Sequence, residues 1–198
     1  MTTYDLGPSA AALTAVVQGV RDDQLGGTTP CPAYTVGDLA EHVCGLARGF
    51  LLAARKEPMP AEDLRPGDAS YLADGWREQV TDDLAELADA WAQPSAREGT
   101  TWAGPVEMPA AEAGLVALDE LVVHGWDLAV STGQAYVADP VAVEACTEWV
   151  AGFAPPADGP ADEGGLFGRP VPVGEGASAL DRLLGLTGRD PSWRPGPR

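Results

Sequence analysis

One stretch limits what this chain can fold into more than any other: Leu115 to Gly133, reading LVALDELVVHGWDLAVSTG. It has the length of a buried helix. Side chains three or four residues apart on an α-helix share a face. On a wheel of roughly 100° per residue, Glu120, His124, Asp127 and Ser131 fall within one narrow arc. Nearly all the remaining surface is apolar, from Leu118 and Leu121 through Val122, Val123 and Trp126 to Leu128. A carboxylate and an imidazole four residues apart on such a helix suit a divalent metal. The chain has only 2 histidines, so a third ligand points to the other one, His42.

The rest of the chain reads largely as further helices. Leu13, Val16, Val17 and Val20 make one apolar stripe between about Ser9 and Arg21. Gly26, Gly27, Pro30 and Pro32 mark a loop. Thr35 and Asp38 resemble a capping box ahead of a second helix that runs to about Arg55, with Leu39, Val43, Leu46, Phe50 and Ala54 on its core face. His42 lies at the edge of that face beside Gly45, Gly49 and Ala53, small residues that leave room next to the imidazole. Residues 57–67 are rich in proline and charge and read as a loop.

Leu72, Trp76, Val80, Leu84, Leu87 and Trp91 predict a third helix from about Ala69 to Trp91. Arg77, Glu78, Asp82, Asp83, Glu86 and Asp89 form its solvated face. Thr100 to Trp102 carries a weak extended signal. Pro109 fits the first turn of the organising helix and Gly133 its C-cap. Asp139-Pro140 opens a fifth helix to about Phe153, with Val143, Cys146, Trp149 and Val150 inward. Beyond Ala154 glycine and proline dominate. One short helix, Ser178 to Leu186 capped by Gly188, is expected to dock Leu183, Leu184 and Leu186 on the bundle. Residues 1–153 thus read as a helical domain, and 154–198 as an extension too short for a second one.

Charge and composition exclude several functions. The formal net charge is −18 and Lys56 is the only lysine. A field of that sign repels phosphate, and basic patches interleaved with aromatics are absent, so neither nucleic acid nor an anionic membrane is an expected partner. No apolar run reaches the roughly 18–20 residues of a membrane span. The N-terminus lacks the pattern of a signal peptide, which makes a cytoplasmic location the expectation. Cys31, Cys44 and Cys146 are odd in number and lack a C-x-x-C motif, as in a reduced protein without disulfides.

Two imidazoles and one carboxylate leave at least one coordination position open, which is the layout of a catalytic site. Zinc suits these ligands best, with nickel, iron(II) and manganese as alternatives. Asp127, one turn beyond His124, can orient a ligand or accept a proton. The polar strip lacks the lysine or arginine that usually balances surface carboxylates at i,i+4 spacing.

The segment TPCPAYTVGDLAEHVCG resembles the second-helix signature of the mycothiol-dependent maleylpyruvate isomerase-like metal-binding proteins, within the DinB/YfiT-like superfamily. DELVVHGWDLAVSTGQ resembles their later metal-binding helix, and LDRLLGLTGRDPSW the ending of a short branch. The resemblance implies an all-α, DinB-like up-and-down four-helix bundle, to which the residue pattern adds a C-terminal helix and a Gly/Pro-rich tail. It implies His42, Glu120 and His124 as ligands of a metal at one end of the bundle, and mycothiol as a co-substrate. The family's isomerase carries an extra C-terminal domain, which the tail here is too short to supply.

The expected function is therefore that of a metal-dependent thiol S-transferase or isomerase acting on a small electrophile, with Asp127 as orienter or proton acceptor. A non-catalytic metal-binding or sensor module and a metal-dependent hydrolase are the alternatives. Monomer and homodimer stay open.

Overall fold

A computed structural model describes residues 4–153 and 167–196. Among them, α1 (Gly7–Gly19), α2 (Val36–Ala54), α3 (Trp76–Trp91) and α4 (Ala110–Thr132) build an all-α bundle. Both α3 and α4 pack against α1 and α2. Going round the bundle, the order is therefore α1, α3, α2, α4. α1 and α2 sit diagonally, as do α3 and α4, which the long connectors after α1 and α3 allow, while consecutive α2 and α3 are neighbours.

The organising stretch is the middle and end of α4, and its burial follows from its apolar girth. Leu118, Leu121, Val122, Val123, Leu128 and Ala129 are all buried. Gly133 ends the helix at φ 71°, a left-handed conformation that glycine adopts without steric cost. At the other end Pro109 caps α4 instead of lying inside its first turn. The reason is that the residues before it form a strand. β1 (Thr100–Ala103) and β2 (Val106–Pro109) pair antiparallel, with Thr100 opposite Pro109 and Ala103 opposite Val106. The weak extended signal is thus half of a hairpin. Thr101 pins it to the bundle by donating to the Ala53 carbonyl at 2.6 Å, at the end of α2.

Two expectations about the helices need correction. α3 begins at Trp76 rather than near Ala69. Gly75 takes φ 76° and breaks the helical path, and Asp68 instead caps a 3₁₀ turn at Ala69–Tyr71. Leu72 still packs on the core, which is why the apolar spacing runs on without a break. On α2, Leu46 is only half-buried while Ala47 is fully buried. This helix is gripped by both α3 and α4, so its core face is centred one residue further along.

One end of the bundle is sealed by the fully buried Trp91, the last residue of α3, whose indole N–H donates to the Phe50 carbonyl at 2.9 Å. α5 (Pro140–Val150) packs on α4, capped by Asp139 and ending before Phe153. α6 (Ala179–Leu186) packs on α5 and starts at a capping box of Ser178 and Asp181. Its Leu183 joins the main core and Leu184 meets Val123 and Trp126, whereas Leu186 is half-buried. The expected Gly/Pro-rich stretch over 154–166 lies outside the described residues. No described helix is long and apolar enough to cross a membrane.

Candidate metal centre

The site begins with the start of α2. Thr35 Oγ1 accepts the Asp38 N–H at 3.2 Å, and Asp38 Oδ2 accepts the Thr35 N–H at 2.9 Å, so two free N–H groups at the helix end are satisfied. Asp38 Oδ1 also accepts the Ala69 N–H, which ties the following connector to α2. One turn on stands His42. The Tyr34 ring lies 5.5 Å from its imidazole, and the Tyr34 hydroxyl accepts the Gly67 N–H. Gly67 is needed there: a Cβ would sit 2.8 Å from the His42 Cβ. Loop and helix together fix the imidazole in place.

α4 brings the other two residues. His124 Nε2 lies 2.9 Å from Glu120 Oε2, and His42 Nε2 lies 3.9 Å from the same oxygen. The two imidazoles meet edge to face, with centroids 5.0 Å apart. One ligand atom from each of His42, Glu120 and His124 falls within 4.8 Å of the others. Zinc bonds to nitrogen and oxygen run about 2.0–2.2 Å, so ligand atoms on one ion stand up to roughly 4 Å apart. Small side-chain shifts bring the three within that reach.

Two further observations bear on whether these residues fit a divalent ion. Glu120 Oε2 is shut off from water yet has no partner in hydrogen-bond geometry, although His124 Nε2 is close. Its lone pair and those nitrogens converge on one point, at ion-pair distance from His124 but outside hydrogen-bond geometry. His124 Nδ1, meanwhile, sits 2.9 Å from Asp127 Oδ2. A carboxylate on Nδ1 sets the tautomer that leaves Nε2 as the ligand nitrogen, an arrangement typical of metal-binding histidines. The donor set of two imidazoles and a carboxylate fits zinc.

The charges are strongly coupled. Burial alone pushes the Glu120 carboxyl up, but the neighbouring His124 and His42 outweigh it and hold it well below the usual range. Burial pulls the other way on His124, yet Glu120 and Asp127 dominate and raise it to about 9. Asp119, buried on α4, is pushed up to about 8 by desolvation and the nearby Glu120.

Most of the polar strip does not face water: Asp127 is fully buried, His124 and Ser131 nearly so, and Glu120 is partly exposed. Ser131 donates to the Asp127 carbonyl at 2.6 Å and stays outside the cluster. The missing counter-charge is supplied from far along the chain. Arg189 Nη2 donates to Asp127 Oδ2 at 3.1 Å. Spacing on α4 carried no sign of this residue. The available signal is chemical: a buried carboxylate calls for a cation. The cysteines stay free. Cys44, pushed up to about 12 by burial, and Cys146, raised further, are poor nucleophiles.

Fold and site together define a helical-bundle protein with a two-histidine, one-glutamate cluster toward the N-terminal end of α2. The sequence model of the mycothiol maleylpyruvate isomerase N-terminal domain matches residues 6–129, and the chain belongs to that family. Uncharacterised proteins from two strains of Mycobacterium tuberculosis are each 31% identical over 179 residues, covering 90% of this chain and 92% of theirs. The crystal structure of the mycothiol-dependent maleylpyruvate isomerase superposes with a TM-score of 0.61 at 17% identity, covering 94% of this chain and 88% of that one. A histidine-to-alanine mutant of the isomerase gives 0.57 at 18% identity, over 93% and 87%. At this identity the likeness concerns the fold.

Proposed function

We propose that this protein is a mycothiol-dependent S-transferase or isomerase that uses a divalent metal, with zinc the best fit, and acts on a small electrophile. The observation that carries the reading is the convergence of His42, Glu120 and His124, with Nδ1 of His124 held by Asp127. The family and the fold of the isomerase support it.

When bound, a divalent cation supplies the Lewis acidity that keeps a thiol deprotonated near neutral pH. The chain's own groups do the rest. His42 and His124 present neutral nitrogens from two different helices, and Glu120 contributes one negative charge. Asp127 fixes the His124 tautomer, while Arg189 holds the Asp127 carboxylate in place. Tyr34 and the Gly67 loop wall off one side of His42 and limit water there.

Metal analysis of protein purified without chelator, followed by assay with mycothiol and a reactive electrophile, tests the reading. One equivalent of metal and saturable thiol-dependent turnover are expected, and His42→Ala and His124→Ala abolish both. Turnover without any thiol points to hydrolysis instead, and retained metal in His124→Ala refutes the ligand assignment.

A further inference from the structure

Building on the thiol-transfer reading, we propose that the electrophile taken by this site is small, uncharged and apolar, and that its body lies in the groove beside His42. The groove encloses about 500 Å³ and runs along α2 from His42 past Gly45 and Gly49. Pockets for small organic ligands span roughly 300–1,000 Å³. Phe50 and Leu46 line it from α2, and Met59 and Leu64 from the connector that follows. The two glycines matter for its shape. A Cβ at Gly45 would meet nothing within 4 Å, so that wall is bare backbone, and one at Gly49 would press on the Met59 sulfur at 3.2 Å.

The fixed charges argue against an anionic occupant. Arg65 and Arg48 both line the groove, yet each faces a carboxylate. Arg65 Nη2 lies 2.8 Å from Glu41 Oε1, and Asp63 stands 3.5 Å from Arg65 and 3.7 Å from Arg48. Asp83 adds a third carboxylate to the lining. The cation beside the cluster, Arg189, is taken by Asp127. Two neutral imidazoles and one carboxylate leave a divalent ion with one net positive charge, which a single thiolate cancels. A dicarboxylate of the maleylpyruvate kind then meets no unpaired cation and a chain of net charge −18. Its charges would lose water without gaining partners, which opposes binding. A neutral apolar molecule avoids that cost and gains from the apolar area it buries.

The test uses the full chain loaded with zinc, mycothiol, and a matched pair of reagents: chlorodinitrobenzene, which is neutral, and chlorodinitrobenzoate, which carries a carboxylate. In both, the thiolate sulfur attacks the carbon bearing chlorine. A C–S bond forms, chloride leaves with the C–Cl electron pair, and the thiol proton passes to buffer. After subtraction of the uncatalysed rates, kcat/KM is expected to be at least about tenfold higher for the neutral reagent. Gly49→Leu, which narrows the groove, should raise its KM by roughly threefold or more with zinc content unchanged. Asp63→Asn should narrow the gap by speeding the anion. Binding of the unreactive pair, dinitrobenzene and dinitrobenzoate, followed by ligand NMR, reads the same preference without turnover. Equal or better binding of the anion overturns the inference, as does an unchanged KM in Gly49→Leu. If neither reagent turns over with thiol, the transfer reading fails, and the binding arm still decides the charge preference.

Discussion

Asp127 Oδ2 lies 2.9 Å from His124 Nδ1, inside a helix face from which water is excluded. The pair sits one turn apart on α4, so the helix itself sets the contact. Asp127→Asn retains the shape but loses the charge. Removing such an outer partner typically costs 10–100-fold in metal affinity. A drop of about that size is expected in a competitive zinc titration, with the helical signal unchanged. Wild-type affinity in this variant would show that Asp127 does not set the histidine tautomer.

Arg189 reaches the same oxygen from beyond α6, and its loss should be felt as stability. Arg189→Ala leaves a fully buried carboxylate with the imidazole as its remaining close cation. Breaking a buried pair costs about 3–5 kcal/mol, and the partial exposure of Arg189 scales this to about 2–4. For a chain of this size that is a fall in Tm of roughly 5–15 °C. Arg189→Lys should recover only part of it, because an ammonium lacks the planar fork. Thermal melts of both variants decide, and a Tm within a degree of wild type for Arg189→Ala would remove the structural role.

The sequence made the cluster legible because two helices carry strong local signals. Thr35 and Asp38 announce the start of α2, which fixes the position of His42 on it. The apolar girth of α4 isolates Glu120, His124 and Asp127 on one strip. Arg189 stayed hidden because 62 residues separate it from Asp127, and nothing local distinguishes it from the other basic residues. Leu72 misled for the opposite reason, since its packing continues a helical rhythm that Gly75 has already broken. The α1, α3, α2, α4 order arises from long-range packing, on which periodicity is silent. The groove beside His42 depends on where the 57–67 connector lies, and proline-rich loops leave that open in sequence.

Gly67→Ala tests how the connector holds His42. The added methyl would approach the His42 Cβ at 2.8 Å, and backbone of α2 as well. Neither neighbour can swing aside, so the loop must lift. Overpacking of this kind costs typically 1–3 kcal/mol, and here the lost Gly67 to Tyr34 hydrogen bond adds about 1 more. Weaker metal binding should accompany the lower Tm, because the wall around His42 is displaced. The same substitution at Gly26, which has open space around its Cβ, serves as the control and should change neither.

Stability of the chelated protein should fall as pH rises from about 6.5 to 9. His124 is raised from an ordinary 6.5 to about 9 by its two carboxylates, even though burial opposes this. Its contribution is therefore complete below 6.5 and is lost as pH passes through 9. Asp119, raised to about 8 by burial, acts in the same direction: its neutral form is favoured by folding, and that contribution falls as pH rises toward 8 and is lost above it. Glu120 is held low and stays ionised throughout, so its contribution does not change above pH 6. Zinc binding requires Nε2 of His124 without its proton, so affinity should climb toward pH 9 and the metal should counteract the loss. Thermal melts at pH 6, 7, 8 and 9, with chelator and with saturating zinc, should give a falling series and a flatter one. Asp119→Asn should reduce the slope of the first. A chelated series that rises with pH would mean that His124 is not paired with carboxylates on both sides in the metal-free protein.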